Sequence, residues 1–97
     1  MSRQQAADYR RRATHLRSVA AQIDDAPALR LATHTGPSTW LGPRADASEF
    51  ALRASIWGAV SAAGELRSTA WVFEQRAAEL EAAALAAEAA HAARVAA

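Results

Sequence analysis

Apolar side chains recur along this chain at helical intervals. Tyr9, Leu16 and Ile23 stand seven residues apart, and Ala13, Val19 and Ala20 fill the three- and four-residue offsets, so together they describe one stripe on a helix. Arg10, Arg11, Arg17 and Ser18 lie off that stripe. Ser2 followed by Gln5 has the capping-box spacing, in which each side chain satisfies an orphan backbone donor, and it predicts a helix start near Arg3. Pro27 cannot donate to the carbonyl of Ile23 and crowds it, so the first helix is expected over about 3–25, with a short further turn over about 28–32.

Gly36, Pro37, Gly42 and Pro43 cluster between two stretches rich in Ala, Arg, Glu, Leu and Gln, which are strong helix formers. The cluster predicts one turn, over 33–42. Pro43 suits the first position of a second helix, and Asp46 and Glu49 complement its dipole, so that helix is expected over about 43–91. One seven-residue series along it is Phe50, Trp57, Gly64, Trp71, Ala78 and Leu85; a second, displaced by two positions, is Leu52, Ala59, Leu66, Phe73, Leu80 and Ala87. At 100° per residue the two series lie about 200° apart. Ile56, Ala63, Ala70, Ala77 and Ala84 fall between them on one side, and Arg53, Arg67, Glu74 and Glu81 interrupt the apolar arc on the tryptophan side.

A hairpin gives each helix one intramolecular neighbour, so the single stripe of the first helix covers only one of these faces. The expected fold is therefore all-α: an antiparallel helix-turn-helix hairpin that dimerises into a four-helix bundle. Tyr9, Leu16, Ile23, Leu52, Leu66, Phe73 and Leu80 are assigned to the core within the hairpin, and Phe50, Trp57, Gly64, Trp71 and Leu85 to a partner interface. Exchanging the two assignments leaves the inference of a dimer intact.

Composition sharpens that need for a partner. The chain has 97 residues, enough for one small domain, and 29 of its apolar residues are alanines, whose methyls bury little area each. With no Cys, neither a disulfide nor a thiolate metal site can form. The apolar runs are alanine tracts broken by Glu, His and Arg, short of the roughly 20 residues that span a bilayer, so no membrane insertion is expected. Met1 to Arg12 holds four arginines and no apolar stretch, unlike a cleaved secretory signal.

Eleven basic residues, all Arg, oppose ten acids for a net charge of +1. The balance is uneven: residues 1–23 carry five Arg and Asp8, whereas residues 46–97 carry four Arg and seven acids. Opposite charges of this kind favour antiparallel helix association. Arg10-Arg11-Arg12, with Arg3 and Arg17, is a basic run, but consecutive residues fan around a helix and no aromatics are interleaved. It reads as a solvated face pairing with an acidic partner rather than a nucleic-acid surface. His15, His34 and His91 lack second ligands at helical metal-site offsets, and adjacent Asp24 and Asp25 point about 100° apart beside Pro27, which suits helix-end capping. No nucleophile has a base nearby in sequence, and two helices offer little concavity, so no enzyme, metal or cofactor is expected.

Trp40-Leu41-Gly42, between two alanine-rich helical stretches, resembles the WXG motif of the small helical-hairpin proteins exported by type VII secretion systems. Pro43-Arg44-Ala45-Asp46 is similar to the opening of second helices in the actinobacterial branch. Leu52, Leu66, Phe73 and Leu80 occupy heptad positions which that branch usually fills with leucine. Ser48 stands where the branch commonly has an aromatic, and Phe50 follows two positions later. The resemblance implies a homodimer or a heterodimer with another hairpin, export by a non-classical type VII route, and a turn at Trp40 and Gly42 that lies beside the partner's C-terminal signal for the secretion ATPase to read. That signal, Tyr with an acid four residues on after the second helix, is missing: Tyr9 is the only tyrosine and its fourth successor is Ala13. Either a partner supplies the signal, or the chain stays in the cytoplasm as an adaptor docked on the helical domain of a larger toxin or effector. A third reading, an intracellular coiled coil, needs no Trp-x-Gly turn.

Overall fold

A computed structural model describes residues 2–27, 29 and 43–97. Helix α1 spans Ser2–Asp24 and helix α2 spans Pro43–Ala96. The two pack against each other as an all-α helical hairpin, with no strand among the described residues. Of the expected turn over 28–32, only Leu29 is described; the turn over 33–42 lies outside the described residues.

At the end of α1, the Asp25 N–H donates to the Ala21 carbonyl at 3.0 Å, and the Ala26 N–H then donates to the Ile23 carbonyl at 3.1 Å. The acceptor that Pro27 cannot serve is thus taken up by a tighter i to i−3 bond, which closes the helix before the proline ring. At its other end, α2 runs five residues past the expected stop at 91. Nothing in His91 to Ala96 breaks a helix, and Arg94 sits in the last turn, where a cation complements the dipole.

The chain divides into two compact units, Met1–Arg17 with Arg67–Ala97, and Ser18–Leu66. In the first, Ala6, Ala13, Ala70 and Ala77 are buried, and Tyr9, Leu16, Phe73 and Leu80 are half-buried beside them. The Tyr9 and Phe73 rings meet at 5.5 Å between centroids and 51° between planes, a tilted aromatic contact across the two helices. In the second unit Ala20 and Ala63 are buried, and Ile23, Leu52, Ile56 and Leu66 are half-buried. Among the described residues the fully buried positions are all alanine, at heptad spacing on both helices. Small side chains let helix axes approach closely, which pushes the larger apolar residues to the flank of the seam.

Three ion pairs fix the antiparallel register of the first unit. Arg3 reaches Glu88 at 2.6 Å, Arg10 reaches Glu81 at 2.5 Å and Arg17 reaches Glu74 at 2.5 Å. Each step of seven along α1 is met by a step of seven back along α2. The acidic partner expected for the basic run is, for these three arginines, the chain's own α2. Within α1, Arg11 pairs with Asp8.

Candidate functional site

Helix α2 carries an outward face with no charge on it. In residues 47–66, Phe50, Ala54, Trp57, Ser61 and Gly64 follow one another at offsets of four and three, and every one is exposed. In residues 67–96, Ser68, Trp71, Gln75, Ala78, Ala82 and Leu85 repeat the pattern, again all exposed. The large members are open to solvent to a degree unusual for their type: Phe50 76%, Trp57 71%, Trp71 58% and Leu85 64%. Alternating offsets of three and four place residues on one side of a helix, as in the seam of a coiled coil. Ala54, Ser61, Ser68, Gln75 and Ala82 had no part in the sequence reading, which followed only the heptad of large residues. Their signal was a run of uncharged residues, small except for Gln75, four positions after successive members of that heptad.

Glycine has a defined place on this face. A Cβ built on Gly64 or on its neighbour Gly58 meets nothing within 4 Å, so no contact among the described residues demands glycine there. A glycine inside a helix costs about 1 kcal/mol relative to alanine. The hairpin tolerates that cost at Gly64, midway between Trp57 and Trp71 in the heptad series.

The residues assigned to the hairpin core, Tyr9, Leu16, Ile23, Leu52, Leu66, Phe73 and Leu80, are all half-buried, while those assigned to a partner are all exposed. Trp40 and Gly42 lie outside the described residues.

The ion pairs set the electrostatics of the first unit. The Arg17 hydrogen bond holds the Glu74 carboxyl below its ordinary range, and the Arg10 hydrogen bond does the same for Glu81. The guanidinium pKa values of Arg10 and Arg17 are raised in return, chiefly by the same bonds. Arg76 is raised first by its hydrogen bond to Glu79, at 3.1 Å, and further by Tyr9.

The cavities of the first unit are open clefts along the helix seam. One of about 390 Å³ is lined by Arg11, Arg12, His15, Leu16 and Phe73, which place no hydroxyl or thiol beside the histidine. Another, of about 210 Å³, is lined by residues that include Asp8, Tyr9, Arg12 and Arg76. No group of three or more His, Cys, Asp or Glu able to hold a metal ion stands among the described residues, and no described helix is long and apolar enough to cross a membrane. His15 and His91 are exposed, and His34 lies outside the described residues. Comparison with protein-family models, with curated proteins and with solved structures finds no match for this chain.

Proposed function

We propose that the chain is a non-enzymatic helical hairpin of the WXG type that associates through the uncharged face of α2 and serves as a substrate or cosubstrate of a type VII secretion system. The observation that carries the reading is the combination of a two-helix hairpin with Trp40-Leu41-Gly42 in the segment joining its helices. The exposed tryptophans support it, because aromatic side chains of this size on a helix surface are the anchors from which protein interfaces are built. In this reading no cofactor or metal is bound, no nucleic acid is engaged, and the partner is a helical hairpin, with the secretion ATPase reading the Trp40 turn.

The test is Trp40→Ala in an actinobacterial host with a working type VII system. Export of the complex falls while the circular dichroism of the purified protein stays nearly unchanged. Loss of helix content in Trp40→Ala would instead assign the tryptophan to closing the end of the hairpin and leave export without support. A second reading is a cytoplasmic adaptor docked on a larger toxin or effector; within these 97 residues Tyr9 is the only tyrosine and its fourth successor is Ala13, not an acid.

A further inference from the structure

The two flanks of the alanine seam in the first unit are unlike. At 100° per residue, Arg3, Arg10 and Arg17 fall to one side of Ala6 and Ala13, while Tyr9, Arg12 and Leu16 fall to the other. On the arginine ladder every charge is matched by a glutamate. On the opposite flank Tyr9 lines the cleft of about 210 Å³, Phe73 lines that of about 390 Å³, and Arg12 lines both. The smaller cleft gathers donors from both helices: the Arg12 guanidinium, the Tyr9 hydroxyl and the Gln5 carboxamide from α1, and the Arg76 guanidinium from α2. The larger is walled by Leu16 and Phe73 and has the size of a small-molecule site. Arg12 therefore stands where a polar cleft joins an apolar one. Its charge is also the one left over. Asp8, which lines the polar cleft, pairs with Arg11, and Arg76 pairs with Glu79. Arg12 makes no ion pair or hydrogen bond with another described residue. One uncompensated guanidinium suits a monoanion, whereas a dianion would bring a second negative charge toward Asp8 and Glu79.

We propose that this flank binds an amphiphilic monoanion, a straight-chain alkyl carboxylate, with its head held by Arg12 in the polar cleft and its chain laid against Leu16 and Phe73 in the apolar one. The guanidinium fork matches a carboxylate, and the Tyr9 hydroxyl and Gln5 carboxamide donate to its remaining lone pairs. Each methylene that leaves water for the apolar cleft adds to affinity. Leu16 and Phe73 offer no partner to the N–H and C=O groups of an extended peptide, so this wall fits an alkyl chain better than a backbone. The whole site lies within one compact unit. It uses neither the tryptophan face nor the Trp40 segment, and it stands or falls independently of the export reading.

The test titrates sodium decanoate, below its micellar concentration, into the full chain and follows it by calorimetry and by the ring resonances of Tyr9, the only tyrosine. Decanoate binds once per chain and shifts the Tyr9 signals; octanoate binds about tenfold more weakly, and acetate does not bind. Arg12 is exposed, so Arg12→Gln keeps its helix content, and it weakens decanoate by about tenfold. Trp71→Ala leaves the affinity unchanged, which separates the cleft from adsorption on the exposed indoles. Equal affinity in Arg12→Gln, binding that leaves Tyr9 unmoved, or no binding at about 1 mM overturns the proposal. Decyl phosphate binding more tightly than decanoate as the dianion would overturn the choice of a monoanion. Tyr9 signals that respond to an oligoglutamate peptide and not to decanoate would assign the flank to an acidic protein partner instead.

Discussion

Alanine and tryptophan divide the work of α2 in an inverted order of size: the methyls of Ala63, Ala70 and Ala77 are buried, while the indoles of Trp57 and Trp71 stand in water. Burying a methyl is worth about 0.8 kcal/mol and covering a tryptophan several times that, so the chain's larger apolar payload stays exposed in the hairpin and is available to the proposed association. Trp57→Ala or Trp71→Ala should therefore cost about 2–4 kcal/mol of assembly, read as a rise in the dissociation constant, while changing the helix signal of the isolated hairpin little. Gly58 tests the opposite term. Its Cβ position is open and it lies off the uncharged seam, so Gly58→Ala should raise hairpin stability by about 1 kcal/mol through helix propensity alone, measured by urea unfolding. At this scale the sequence was legible where side chains are large: the exposed aromatics were marked by their heptad, and so were the half-buried Tyr9, Leu16 and Phe73. The alanine seam was legible in part: Ala13 and Ala20 belong to the first-helix stripe, but with 29 alanines in the chain the sequence did not single out Ala63, Ala70 and Ala77 as the fully buried centre of the contact.

Between the helices, register is decided by charge spacing more than by apolar shape, since a seam of alanines packs almost equally well after a slip of one heptad. The arginine-glutamate pairs remove that degeneracy. Sliding α1 by seven residues in one direction sets Arg17 opposite Arg67, and sliding it in the other sets Arg3 opposite Val95, so each slip gains a repulsion or loses a pair. Arg10→Glu should lower the thermal midpoint, and the exchange of both partners, Arg10→Glu with Glu81→Arg, should restore it; the comparison is made by circular dichroism at low salt, where exposed pairs are least screened. The same pairs set the acid response. Glu74 and Glu81 have folded pKa values depressed by their arginine partners, so their stabilisation is fully present above the unfolded carboxylate value of about 4.3 and is lost as pH falls through the lower folded values. The thermal midpoint should hold from neutral pH to about 5 and then decline, and Glu74→Gln with Glu81→Gln should flatten that decline. Helix positions were legible from the Gly and Pro cluster and from the helix formers around it. The ladder was present in the sequence as Arg3, Arg10 and Arg17 against Glu74, Glu81 and Glu88, but a charge count by segment averages over the spacing that carries it.

For the whole molecule, the proposed export depends on which chain of a complex carries the tail signal. In the proposed reading, docking through α2 would set a partner's C-terminal tail beside the segment that holds Trp40, and the composite surface would become readable to the secretion ATPase only if that tail carried Tyr with an acid four residues on. This chain has Tyr9 alone, followed by Ala13, and its other aromatics late in α2 do no better: the fourth successor of Trp71 is Gln75 and that of Phe73 is Ala77. A dimer of identical copies doubles the turn without supplying a tail signal, so self-association through the tryptophan face would hold the chain inside the cell until a hairpin bearing the signal competes for the same face. Produced alone in a host with a working type VII system, the protein should be retained; produced with a hairpin gene that encodes the tail signal, it should appear outside in a complex with that partner. Trp57→Ala should lower both self-association and partner-dependent export, because both use one surface. Efficient export of the chain alone would show that the signal resides in this sequence in another form. Retention with every partner would transfer the tryptophan face to the adaptor reading, in which the occupant is the helical domain of a larger protein.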